Sequence, residues 1–175
     1  MKRHYTRDEL WERASLRAAM HIRGLWEEKG NSDTRLLDAL ILPDAFTLVG
    51  RSRAWSHPGR REHVIPRVVV VGECHRMLER GETDDAIAAF IRKHVQIVLI
   101  STDECERLDR RDQLGLRQTM PAGWSFGDDL YARLIAAGIE WDPVVPETPH
   151  ENPVARAGEA DNATGTDAIL VPDSL

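Results

Sequence analysis

Apolar residues recur at helical spacing through the first thirty positions. Trp11, Ala14, Ala18, Ile22, Leu25 and Trp26 fall on one face, with Glu12, Arg13, Arg17 and Arg23 between them. Thr6-Arg7-Asp8-Glu9 before them has the form of a capping box, and Gly30-Asn31 is a stop signal, so an amphipathic helix is predicted over 7–29. Leu36, Leu37, Leu40 and Ile41 suggest a short second helix closed by Pro43. Periodicity is then lost. Phe46, Leu48 and Val49 suit a short strand, and 51–59, rich in Arg, Ser, Pro and Gly, reads as a loop.

A brief strand is expected over 62–65, ended or edged by Pro66. The four valines Val68–Val71 are strand-like by propensity, but the helical Cys74–Glu79 that follows favours a helix beginning soon after Pro66. Gly81 breaks that helix, and Thr83-Asp84-Asp85 caps another carrying Ile87, Phe90 and Ile91, with Lys93-His94 at its C-terminal end. Val95–Ile100 is the clearest strand. Ser101-Thr102-Asp103-Glu104 is a second capping box, opening a helix with Cys105, Leu108 and Asp109 that ends at Leu114-Gly115-Leu116. A loop at 120–124 leads to a helix capped by Asp128-Asp129 and closed by Gly138, against which Trp141 packs back.

This order gives an α+β chain, mostly helical, with a small two-stranded antiparallel element at 62–65 and 95–100 and a helix after it. A single globular domain is expected over 1–142. Its parts are a helical N-terminal region 1–45, a strand–strand–helix region 60–112 and a C-terminal helix 128–138. From 143 to 175 the composition shifts to prolines, acids and few large apolar residues, and a disordered tail is expected. A length of 175 residues suits one domain.

Charge changes the picture in one place. Residues 1–67 carry thirteen Lys and Arg against nine Asp and Glu, whereas 68–175 carry ten against twenty. The basic excess peaks at Arg51, Arg53, Arg60, Arg61 and Arg67, which face only Glu62 within 51–67. Such a patch can attract a phosphate backbone even on a chain of net charge −6. No apolar run reaches eighteen residues, so no membrane span is expected, and the first residues lack the apolar stretch of a signal peptide. Two cysteines, Cys74 and Cys105, are too few for a disulfide framework and suit the reducing cytoplasm. Cys74, His75, His94 and Cys105 offer zinc donors, but without the CxxC or HxxxH spacing of a zinc site. No phosphate-binding loop, dinucleotide fingerprint or nucleophile elbow is present.

Glu62-His63-Val64-Ile65-Pro66 resembles the first strand of the HNH nucleases, the His-Me finger or ββα-metal family. Gln96–Cys105 resembles that family's second strand and the start of its helix. Gln96 falls where the family has Asn, Cys105 where it has a metal-binding His, and Asp109 where a second His often follows. The resemblance implies a metal-dependent endonuclease that hydrolyses phosphodiester bonds, acting on DNA ahead of RNA. His63 would be the base, with Gln96 beside it in the catalytic set. Glu62, Glu104, Cys105 and Asp109 would supply ligands to Mg²⁺ or Mn²⁺, the oxygens suiting Mg²⁺ better than the thiol. Arg51, Arg53, Arg60, Arg61 and Arg67 would hold the nucleic acid. The alternative is a catalytically inactive scaffold of this kind, serving as a small binding protein for a protein partner. The missing metal histidine and the acidic composition favour that alternative.

Overall fold

The computed structural model describes residues 3–144, so the expectation of a disordered tail lies, from 145 on, outside the described residues. Helix α1 spans Arg7–Lys29. Its start is fixed by the capping box: the Glu9 amide donates to Thr6 Oγ1 at 3.2 Å and the Thr6 amide to Glu9 Oε2 at 2.7 Å. Gly30 ends it at φ 73°, a left-handed cap that costs glycine little. The apolar face buries Ala14, Ala18, Ala19 and Ile22.

The short second helix is a single 3-10 turn, Thr34–Leu37. Only Leu37 of its apolar quartet is fully buried, and Leu40 is 95 % exposed. Phe46 lies not in a strand but in a helical turn, α2, Asp44–Thr47, where it stacks on Trp11. Strand β1 follows at Leu48–Ser52, so part of the expected loop is sheet. Strand β2 is Arg60–His63, two residues earlier than expected. Pro66 then opens α3, Arg67–Glu79, which confirms that the valines are helical: Val70 and Val71 are buried beside Cys74 and Met77. Helix α4 is Asp84–His94, capped by Thr83. Strand β3 is Ile97–Ile100, and α5 is Thr102–Asp109, whose Ser101–Glu104 capping box is formed in full. That helix stops at Arg110 rather than near Leu114, and residues 111–114 form turns. The last helix, α6, is only Ala132–Ala136, with Gly138 left-handed beyond it at φ 61°. Strand β4, Trp141–Pro143, was unforeseen.

The chain is α+β and mostly helical. The predicted antiparallel pair is present, with Arg60 opposite Ile100 and His63 opposite Ile97. It is half of a four-stranded mixed sheet in the order β2-β3-β1-β4. β1 runs parallel to β3 and antiparallel to β4. Parallel pairing between strands so distant in sequence is not visible in local periodicity.

Two apolar clusters hold the fold together. The larger joins α1, α3 and α4 through Ile22, Val70, Ile87 and Ile91. The smaller lies under one face of the sheet, where Val98 and Ile100 meet Leu108 of α5 and Leu134 of α6. Each fully buried aliphatic side chain contributes about 1.5–3 kcal/mol relative to exposure. β2 is an edge strand, flanked by α3 on one side of its end and by α5 and α6 beneath it.

Candidate anion-binding cleft on the edge strand

A β-strand sends successive side chains to opposite faces. In β2 this separates the two residues that look like one motif. Arg60 and Glu62 turn toward α5 and α6, whereas Arg61 and His63 turn toward the 3-10 turn and α3.

On the first face the charges are locked together. Glu62 is 3 % exposed and accepts a hydrogen bond from Arg133 of α6, itself fully buried. Arg60 Nε lies 3.0 Å from the other Glu62 oxygen. Arg60 Nη1 reaches Asp109 Oδ2 at 2.6 Å and Cys105 Sγ at 2.8 Å. Burial pushes the Glu62 carboxyl above its ordinary range, against the pull of Arg133 and Arg60, and pushes Arg133 down. Among the described residues, Asp109 Oδ1 and Arg133 Nε and Nη1 are buried without a hydrogen-bond partner. Burial also raises the Cys105 thiol, against the pull of Arg60.

On the second face Arg61 makes a two-pronged pair with Asp44 of α2, and Arg67 pairs with Asp38. Between them lies His63. Burial, then the charges of Arg67 and Arg61, hold its pKa down at about 4, so the ring is neutral at pH 7. A recess of about 410 Å³ wraps round the free edge of β2. It is lined by Arg60, Arg61, Arg67 and Arg117, by Glu62, His63 and Asp38, and by Thr34, Pro66, Val68 and Gln118. Four arginines thus face two carboxylates, and both carboxylates already hold arginines.

The other predicted residues are placed elsewhere. Glu104 is buried and committed to structure: its oxygens accept from Ser52 Oγ at 2.6 Å and from the Ser101 amide at 2.8 Å. Gln96 accepts from the Tyr131 hydroxyl at 2.6 Å and donates to the Lys93 carbonyl at 3.1 Å. Arg51 lies over the Trp55 ring, 4.7 Å from its centroid, and Arg53 pairs with Glu140 and Asp142 of the far edge. Cys74 sits in the larger apolar cluster, where burial pushes its thiol up to about 12, and Cys105 packs on the smaller one.

The fit to one divalent ion fails on these observations. Glu62, Glu104, Cys105 and Asp109 lie on the face opposite His63, and each is already engaged by a side chain or backbone group of the protein. Among the described residues no three or more His, Cys, Asp or Glu side chains form a metal-binding group. Two functional candidates escaped the sequence reading. Arg117 reaches the cleft because left-handed Gly115 turns the chain and the Leu116 amide bonds the Leu108 carbonyl at 2.8 Å. Arg133 gave no signal, because a charge in a helix ordinarily marks a solvated face. The Gly115 turn was the only local sign of Arg117.

Comparison with protein-family models, with curated proteins and with solved structures gave no match.

Proposed function

We propose that the protein binds the phosphate groups of nucleic acid, DNA ahead of RNA, in the cleft along β2. The observation that carries this reading is the convergence of Arg60, Arg61, Arg67 and Arg117 on one recess whose only carboxylates among the described residues, Asp38 and Glu62, are already paired. Guanidinium groups match phosphate oxygens in geometry and charge. No helix among the described residues is long and apolar enough to cross a membrane. On this reading the chain is an HNH-like scaffold rebuilt around arginines, with its acids spent on holding them.

The test is anisotropy of a fluorescent DNA duplex across a salt series. Each phosphate contact adds about 0.9 to the slope of log affinity against log salt. Arg117→Gln combined with Arg61→Gln should weaken binding and lower that slope by about 2. Absence of binding at roughly 50 mM salt, where electrostatic attraction is strong, refutes the reading.

A hydrolytic reading is favoured by one further observation, the place of the His63 ring in the lining of the arginine cleft. A neutral imidazole can take the proton of an attacking water, and arginines can stabilise the charge developing on phosphate. The residues do not converge on one Mg²⁺ or Mn²⁺, so no step is routed through a metal. Supercoiled plasmid with Mg²⁺, Mn²⁺ or EDTA, beside His63→Ala, separates the readings. Nicking that depends on His63 supports hydrolysis, and nicking that survives His63→Ala removes His63 as the base.

A further inference from the structure

We infer that the cleft takes a terminal phosphate, the phosphomonoester at the end of a nucleic-acid strand, in preference to an internal phosphodiester. This rests on the phosphate-binding reading above and names its ligand.

The shape of the site is the first reason. The recess of about 410 Å³ falls within the roughly 300–1,000 Å³ of sites that enclose a discrete group. An internal diester must leave in two directions, whereas a chain end enters and stops. Its lining is drawn from separate segments, Thr34 and Asp38 upstream of β2 and Arg117 and Gln118 downstream of α5.

The number of donors is the second reason. Arg60 spends Nε on Glu62 and Nη1 on Asp109 and Cys105, which leaves Nη2. Arg61 spends Nε and Nη2 on Asp44, which leaves Nη1. Among the described residues, Arg117 has only a 4.0 Å contact from Nε to Asp109, and at 71 % exposed its two amino groups can turn inward. Helix α3 begins at the same place. No side chain caps it, and among the described residues its first two amides, of Arg67 and Val68, have no backbone acceptor. A helix start adds donors and positive potential where the arginines already converge. A diester offers two free oxygens and one charge. A terminal phosphate offers three oxygens and a charge near −2 at pH 7, which uses more of these donors.

The lining supplies the third reason. Among the described residues, Pro66 and Val68 are its only apolar members, and no aromatic ring lines it. Bases in single strands are held by stacking on aromatic side chains, so this cleft has no means to grip a base. Recognition is left to the phosphate. Arg60 is the best-placed contact, because the Glu62–Arg133 pair behind it fixes the guanidinium before any ligand arrives.

The experiment uses the full chain and two fluorescent duplexes of one sequence, one with 5′-phosphate ends and one with 5′-hydroxyl ends. The phosphorylated duplex should bind about tenfold tighter or more, the scale of one added charge-assisted contact. A nucleoside 5′-monophosphate should compete for the difference. Arg117→Gln should remove most of it with the melting temperature unchanged, since that side chain is exposed. Arg60→Gln should remove it too, and its melting temperature reports any unfolding. Equal affinity for both duplexes overturns the inference and leaves the backbone-binding reading standing. Failure to bind either duplex refutes that broader reading instead. Preference that survives Arg117→Gln and a folded Arg60→Gln overturns the assignment to this cleft. Inorganic phosphate should compete as well as the nucleoside monophosphate, since only the phosphate is held; inorganic phosphate that binds the full chain as tightly as the phosphorylated duplex does makes free phosphate the ligand and overturns the strand-end assignment.

Discussion

The two faces of β2 treat charge in opposite ways. Beneath the strand, Arg60, Glu62, Asp109 and Arg133 form one ionic set, in which Glu62 and Arg133 are buried and Arg60 reaches the recess. Above it, Arg61, His63 and Arg67 line an open recess with Asp38 and Asp44 as half-buried counter-charges. The closed face spends its ionic groups on one another and fixes one arginine. The open face also pairs its arginines, Arg61 with Asp44 and Arg67 with Asp38, but at partners that are themselves partly exposed. Neighbours in the chain, Glu62 and His63, therefore belong to different surroundings: one is held among buried ionic partners, the other lies between Arg61 and Arg67 in the recess lining.

The largest expected effect comes from breaking the closed face. Removing one partner of a buried ion pair costs about 3–5 kcal/mol, because the other charge remains in a dry site. Arg133→Met should lower stability by about that much in urea denaturation. The Glu62→Met/Arg133→Met double variant should recover most of it, because matched apolar replacement of a buried pair is often neutral or favourable. The orphaned Nε and Nη1 of Arg133 strengthen that expectation, since each buried donor without an acceptor costs about 1–3 kcal/mol. Recovery of stability in the double variant with loss of DNA binding separates Glu62 as a support for Arg60 from Glu62 as a support for the fold.

On the open face the expected effect is on binding. Arg117→Glu should weaken DNA affinity about tenfold, roughly 1.4 kcal/mol, while leaving the urea midpoint unchanged. An exposed arginine with only a long 4.0 Å contact holds nothing in place, so a drop in stability would show that residues 117–118 are part of the scaffold rather than a wall of the cleft.

The sequence showed the elements more clearly than the site. Thr6–Glu9 and Ser101–Glu104 announced α1 and α5 because capping is local chemistry between residues three apart. The antiparallel partners were visible as two β-rich runs. β1 was visible only at its start, where Leu48 and Val49 suit a strand; Arg51 and Ser52 look like loop residues, and they are sheet because β3 and β4 pair with them, while β4 gave no sign. The cleft was half legible. Arg60, Arg61 and Arg67 stood out as a basic run around His63. Arg117 was invisible as a partner because it arrives from fifty residues downstream on a turn. Glu104 and Asp109 have the right chemistry for a metal and the wrong face, and only the alternation of β2 against α5 reveals that.

Acid should discriminate the faces by a smaller margin. His63 resists protonation until about pH 4 in the folded chain, against an ordinary value of 6.5 when unfolded. Below pH 6.5 the unfolded chain therefore binds more protons, and stability falls as pH drops from 6.5 toward 4. His75 and His94, also lowered by burial, act in the same direction. Glu62, raised by burial, acts in the opposite one. His63→Gln should flatten part of the decline of the urea midpoint between pH 6.5 and 4. An unchanged profile would mean that the ring is already solvated.

The smallest effect is expected from the arginines that the basic run included but the cleft does not. Arg51 lies on the same face as Arg61, with β3 between them, so about 10 Å separates the two at the usual strand spacing. That is close enough to extend an electrostatic track but too far to share a phosphate. Its guanidinium also covers Trp55. Arg53 is held by Glu140 at 2.8 Å and Asp142 at 3.2 Å, all three more than 60 % exposed. Two carboxylates cancel its charge toward a ligand, and exposed pairs of this kind are worth only about 0.2–1 kcal/mol. Arg51→Ala should therefore weaken DNA binding by about twofold, less than 0.5 kcal/mol, and Arg53→Ala should leave it unchanged. Both follow from duplex anisotropy at one salt concentration. A loss at Arg53 as large as at Arg117 would move the binding surface from the edge at β2 to the edge at β4, and the contrast between the two faces of β2 would no longer describe where the ligand sits.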